Sequence, residues 1–176
     1  MTVRWAKLAL VILFAVYSMS HSRSFSTDWN ILDDTNIGIH ETGHQVFSML
    51  GRFITIAGGS LFQLLVPLLI FGYFWTRGQK FSAAAVLIWL SVNFFYVAWY
   101  AADAQTMALQ LFGGEGVTHD WNELLDKTGL LPYTAVVSNF IYMLGCISIA
   151  AGLYVAGRAC VHKPEDIESA DTVLRR

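Results

Sequence analysis

Charge is what this chain has least of. Only 14% of its 176 residues are charged against 55% hydrophobic ones, and the mean hydropathy is +0.50. Soluble domains carry about 25% charged residues, so a soluble globular surface is excluded and the chain reads as an integral membrane protein partnered by the lipid bilayer. Clustered basic charge is absent too: the eleven Lys and Arg are scattered and the net charge is −2, which excludes nucleic acid as a partner. Cysteine is scarce. Cys146 lies inside an apolar run and Cys160 just beyond it with no Cys-x-x-Cys spacing, so both read as free thiols rather than a disulfide or a zinc pair. Nothing repeats at a fixed period, which leaves one membrane-embedded domain over residues 1–160 and a cytoplasmic tail over 161–176.

Long apolar runs are what the chain does have. Arg4 and Lys7 precede a run from Leu8 to Met19 that ends at Ser20, His21, Ser22 and Arg23. This reads as a short first anchor over residues 6–20, with a signal peptide as the alternative; no clear A-x-A cleavage site appears. Residues 54–75 carry no charge but hold Gly58-Gly59-Ser60, Gln63 and Pro67; the glycines permit close approach of a neighbouring backbone, and Gln63 reads as an interhelical hydrogen bond. Two further spans cover residues 81–102 and 133–157. The predicted fold is therefore all-α: a polytopic bundle of about four transmembrane helices. Of the eleven cations, Arg4, Lys7, Arg77, Lys80, Arg158, Lys163, Arg175 and Arg176 then fall inside, and only Arg23, Arg52 and Lys127 outside, as the positive-inside rule expects.

Into this apolar chain is set His40-Glu41-Thr42-Gly43-His44, an H-E-x-x-H motif. Five His and five Glu in the chain give an accidental match at a rate of roughly 0.4%, so composition does not account for it. Two histidines four apart share one helix face and reach one metal ion, with the glutamate between them aimed at its open side. A helix over about 37–53, capped by Asp34, Thr35 or Asn36, is expected to carry the motif on the outer face. The topology brings Asp103, at the outer end of the third span, and His119-Asp120, in the outer loop 104–132, to that same face. Glycines in the loop allow a tight reversal, and Thr118 or Asp120 is placed to start a short helix through Leu125.

Catalytic zinc takes three protein ligands and keeps a fourth position for water. His40 and His44 supply two. His119 is the first candidate for the third, with Asp120 beside it as support; Asp103 is the second, and Asp120 itself stays open as a ligand. Glu41 would be the general base. Haem ligation ranks low, because two histidines on one helix face cannot take opposite axial positions on one haem.

The motif in a small multi-span chain resembles the site-2 protease (M50-like) group of membrane metalloproteases. Gly58-Gly59-Ser60-Leu61-Phe62-Gln63-Leu64-Leu65-Val66-Pro67, Ala102-Asp103-Ala104, and Gly113-Gly114-Glu115 with His119-Asp120-Trp121 resemble a group of small bacterial membrane proteins with this layout, over roughly residues 36–125. The resemblance implies zinc on His40 and His44 and catalysis by Glu41. Two features depart from it: site-2 proteases draw a third ligand from an Asp-Gly pair on a later span, which this chain lacks, and their sites commonly open toward the cytoplasm. The expected function is a zinc-dependent metallopeptidase of the bacterial inner membrane, acting at the periplasmic face on membrane-associated or periplasmic polypeptides. The alternative is a non-catalytic metal-binding subunit or assembly factor with membrane-protein partners.

Overall fold

A computed structural model describes residues 2–20, 31–109 and 118–161, which are mostly helical with no strand among them. Six α-helices follow in order: α1 (Thr2–Ser20), α2 (Ile31–Val46), α3 (Arg52–Thr76), α4 (Lys80–Ala102), α5 (Asp120–Lys127) and α6 (Thr134–Val161). Four of them, α1, α3, α4 and α6, are long and apolar enough to cross a membrane. The Gly113-Gly114-Glu115 part of the loop expected on the outer face and residues 162–176 lie outside the described residues.

The bundle is built around α4, the most buried of the four long helices. Its Ala84, Ile88 and Phe95 pack with Val11 and Ala15 of α1 and Ile149 and Ala156 of α6. Small residues set the spacing: a Cβ on Gly145 would fall 2.5 Å from the Phe95 ring, and one on Gly152 would fall 2.8 Å from Ile88. Between apolar helices in lipid there is little hydrophobic drive, so close backbone approach and buried polar links hold the spans together. Ser18 of α1 meets Ser91 of α4 at 2.9 Å, and Ser148 of α6 donates to the Leu87 carbonyl at 2.7 Å. Leu61, Leu65, Leu68 and Leu69 of α3 and Val136, Phe140, Met143 and Ile147 of α6 stay exposed, as lipid-facing residues would be.

The motif helix differs from its sequence expectation at both ends. It starts at Ile31 rather than near 37, with Asp33 and Asp34 in its first turn, where carboxylates favour the helix dipole. Asn36, expected as a cap, is instead fully buried and accepts a hydrogen bond from Trp89 Nε1 at 3.1 Å. The helix stops at Val46 rather than near 53. A 3-10 turn at Ser48–Leu50 and Gly51 at φ +87° reverse the chain there, so α3 returns alongside α2. Thr55 seals that corner by donating to the Phe47 and Gly51 carbonyls at 3.2 and 3.0 Å.

Helices α2 and α3 touch backbone to backbone through Gly43 and Gly58. A Cβ on Gly58 would lie 2.8 Å from the Phe47 ring and 2.9 Å from the Gly43 carbonyl oxygen. Gly58→Ala is therefore expected to lower stability by about 1–3 kcal/mol, read as the midpoint of unfolding in detergent. An unchanged midpoint would mean that α2 does not lie against α3 in this way.

Candidate metal centre

Helical spacing puts His40 and His44 on one face of α2, with ring centroids 4.8 Å apart. What each ring does with its Nδ1 decides what its Nε2 can do. His40 Nδ1 lies 3.2 Å from Gln63 Oε1 of α3, and His44 Nδ1 lies 2.9 Å from the Thr55 carbonyl oxygen. Oxygens of this kind only accept, so both Nδ1 atoms must carry hydrogen and donate. Each neutral ring is left with its lone pair on Nε2, which is how second-shell acceptors orient ligating histidines.

Both Nε2 atoms converge on one carboxylate oxygen. Asp120 Oδ2 lies 3.0 Å from His40 Nε2 and 3.2 Å from His44 Nε2. Two lone pairs and an anionic oxygen repel at those distances unless a cation joins them, either protons on the imidazoles or a metal ion. The three ligand atoms lie within 4.8 Å of one another, and His40, His44 and Asp120 are the one such group among the described residues. Two histidines and a carboxylate form a known three-ligand set for zinc. Gly59 keeps the spot open: a Cβ there would sit 2.5 Å from His40 Nε2 and 2.6 Å from His44 Nε2.

Local sequence explains how Asp120 arrives. His119 is the N-cap of α5, and its Nδ1 accepts the Asn122 backbone N–H at 3.2 Å. Asp120 is thereby held at the first helical position, and its own backbone N–H donates to the Tyr100 hydroxyl at 3.1 Å. Trp121 Nε1 donates to Ser60 Oγ at 3.2 Å and Asn122 Nδ2 to the Ala104 carbonyl at 2.8 Å, docking α5 onto α3 and the end of α4. Farther along α5, Glu123 accepts from Arg52 Nε and Nη2 at 2.6 Å and from Lys127 Nζ at 2.5 Å, and these cations hold its carboxyl down at about 2.

The sequence candidates for the third ligand are thus placed differently from one another. Asp120 meets the histidines. His119 and Asp103 face each other instead, with Nε2 3.3 Å from Asp103 Oδ2. His119 spends its one neutral lone pair on the Asn122 N–H. Asp103 accepts from the Thr106 hydroxyl and from the backbone N–H groups of Ala108 and Leu109, both at 3.0 Å, so it organises the turn after α4. Burial raises the Asp103 pKa, but those hydrogen bonds outweigh it and leave the carboxyl below its usual value. Glu41 is solvent-exposed beside His40, and its charge contributes to the field at His44. Gln63, read from sequence as an interhelical hydrogen bond, is fully buried and makes one to His40. The sequence carried no sign that Thr55 offers its carbonyl to His44.

Electrostatics agree with this geometry. The hydrogen bond to Asp120 raises the His44 pKa to about 9 against the effect of burial, with the Thr55 carbonyl adding to the rise. Burial alone would raise the Asp120 pKa, but hydrogen bonds from His40 and His44 outweigh it and lower it. The class defined by fold and site is an all-helical protein with four helices long and apolar enough to cross a membrane and a His-His-Asp group able to hold a metal ion. No family model, curated protein or solved structure matches the chain.

Two outcomes are expected. Gly59→Ala places a methyl group on the convergence point, so it should abolish metal retention in a variant that still folds; full metal content by elemental analysis would refute the site. Metal must also displace the His44 proton wherever His44 is charged. Affinity should therefore fall about tenfold per pH unit as pH drops below about 9, the raised His44 value, with one proton released from His44 per ion bound. Calorimetry in two buffers of different ionisation enthalpy reads that proton.

Proposed function

We propose that the chain is a zinc-dependent membrane metallopeptidase. The observation that carries the reading is the convergence of His40 Nε2, His44 Nε2 and Asp120 Oδ2 on one point, with both Nδ1 atoms already donating elsewhere. Three protein ligands would leave a fourth position of a zinc ion for water, which supports a catalytic over a structural reading of the group. When bound, zinc would supply Lewis acidity, making water nucleophilic near neutral pH and polarising a peptide carbonyl.

The chain's own groups divide the remaining work. Glu41 follows His40 directly and is exposed, so its carboxylate is free to take the proton of the attacking water and return it to the departing amine. Gln63 and Thr55 hold the imidazoles in one tautomer and orientation. Tyr100 holds the backbone of Asp120, and its ring packs against His40 at 5.9 Å between centroids. An aspartate from a later segment is a feature shared with site-2 proteases, although Asp120 precedes Trp121 rather than glycine and stands on a short helix rather than a span.

The site lies where α3 begins and α4 ends, so a polypeptide at the membrane surface could reach it. The distribution of Lys and Arg supports placing that end outside, in the periplasm of a bacterial inner membrane. Membrane-associated or periplasmic polypeptides are then the substrates.

Elemental analysis of the purified chain tests the metal, and cleavage of a membrane-peptide pool tests the chemistry. Wild type and Glu41→Gln should each carry about one zinc per chain, which His44→Ala and Asp120→Ala lose. Glu41→Gln should lower cleavage by about 100-fold or more, the usual contribution of a general base. Zinc retained by wild type without any Glu41-dependent cleavage would favour the non-catalytic metal-binding subunit. Absence of metal after reconstitution with zinc would reduce the group to a protonated His-Asp-His cluster.

A further inference from the structure

The end of the bundle opposite the metal centre gathers cations from three helices. Arg4 and Lys7 are three residues apart on α1 and so share a face. Lys80 opens α4, and Arg158 lies in the last turn of α6, where a cation suits the helix dipole. These four side chains line one cleft of about 560 Å³, together with Trp75 and Tyr154, and no described residue lining it is acidic. From Gly59 to Trp75 is sixteen residues of α3, or about 24 Å at 1.5 Å per residue. The cleft is therefore separate from the metal centre.

Its walls combine charge with apolar surface. Lys80 Nζ sits 3.5 Å above the Trp75 ring and Lys7 Nζ 5.8 Å above the Phe81 ring, while Val3 and Val155 add aliphatic surface. Lys7 and Lys80 bring two ammonium groups to this wall, and an anionic ligand complements them. The volume exceeds what a small inorganic anion fills and lies in the range of pockets for small organic ligands. Its place at the ends of apolar helices is the depth of lipid headgroups, where aromatic side chains also settle.

We infer that this cleft binds the headgroup of an anionic phospholipid, with Arg4, Lys7, Lys80 and Arg158 around the phosphate and the apolar walls against the first methylenes of the acyl chains. Basic pockets between spans recognise anionic headgroups in this way, at a gain of roughly fivefold in affinity per cation. The inference is independent of any peptidase activity.

The test uses the full chain in neutral detergent, loaded with equal phosphatidylglycerol and phosphatidylcholine, with retained lipid read by native mass spectrometry. Wild type should keep phosphatidylglycerol over phosphatidylcholine by about tenfold or more. Lys7→Gln with Arg158→Gln should erase most of that preference. Arg77→Gln should keep it, because Arg77 is at the same end but stacks on Tyr73 outside the cleft. Should the double variant not fold, Lys7→Gln alone, at an exposed side chain, gives the same readout at roughly a fivefold loss. Equal retention of the two lipids by wild type would overturn the inference. So would an equal loss in Arg77→Gln, which would mean diffuse surface charge, or displacement of the lipid by millimolar inorganic phosphate, which would mean a free-anion site.

Discussion

Two imidazole nitrogens and one carboxylate oxygen that meet at a point need a cation, and the upper half of the bundle is arranged around that need. The repulsion would ease if an imidazole carried its proton on Nε2, but the Gln63 amide oxygen and the Thr55 carbonyl each take an N–H from the Nδ1 facing them. The demand for a cation is thus fixed by groups on α3 that never touch the convergence point. Burial sharpens it, since His40 and Asp120 are both nearly inaccessible to water that could screen their charges.

Glycine makes that arrangement geometrically possible. Gly43 and Gly58 bring α2 and α3 into backbone contact, which is close enough for the Thr55 carbonyl and the Gln63 side chain to reach the rings. Gly59 then leaves room for the ligand atoms themselves. The same device recurs on the other side of α4, where Gly145 and Gly152 receive Phe95 and Ile88. Between helices apolar enough to cross a membrane, packing of this kind takes over from the hydrophobic drive that organises soluble cores. The scaffold that results carries a His-His-Asp group at one end and a cationic cleft at the other.

Much of this was legible before any coordinates. Low charge and four long apolar runs define an all-helical protein with four helices able to cross a membrane, because a chain in lipid must satisfy its backbone internally. The spacing of His40 and His44 places them on one face, since i and i+4 coincide on any α-helix. The Gly58-Gly59-Ser60 run announces close approach of a neighbour, and α2 is that neighbour. The ends of the motif helix were less legible. Polar residues before Ile37 look like a cap, but Asn36 finds its partner in Trp89, fifty-three positions away, and the helix continues back through it.

The sequence by itself determined the composition of the spans and the presence of a two-histidine face, because both follow from local periodicity and transfer energetics. Only the tertiary structure decided between His119, Asp103 and Asp120 as neighbours of those histidines. All three stand at the same end of the bundle, and adjacency in sequence cannot say which way a capped turn points its side chains. Once His119 caps α5, its lone pair is committed to a backbone N–H and the next residue is turned toward α2. That choice depends on hydrogen bonds among α3, α4 and α5, which are long-range contacts that no local pattern records.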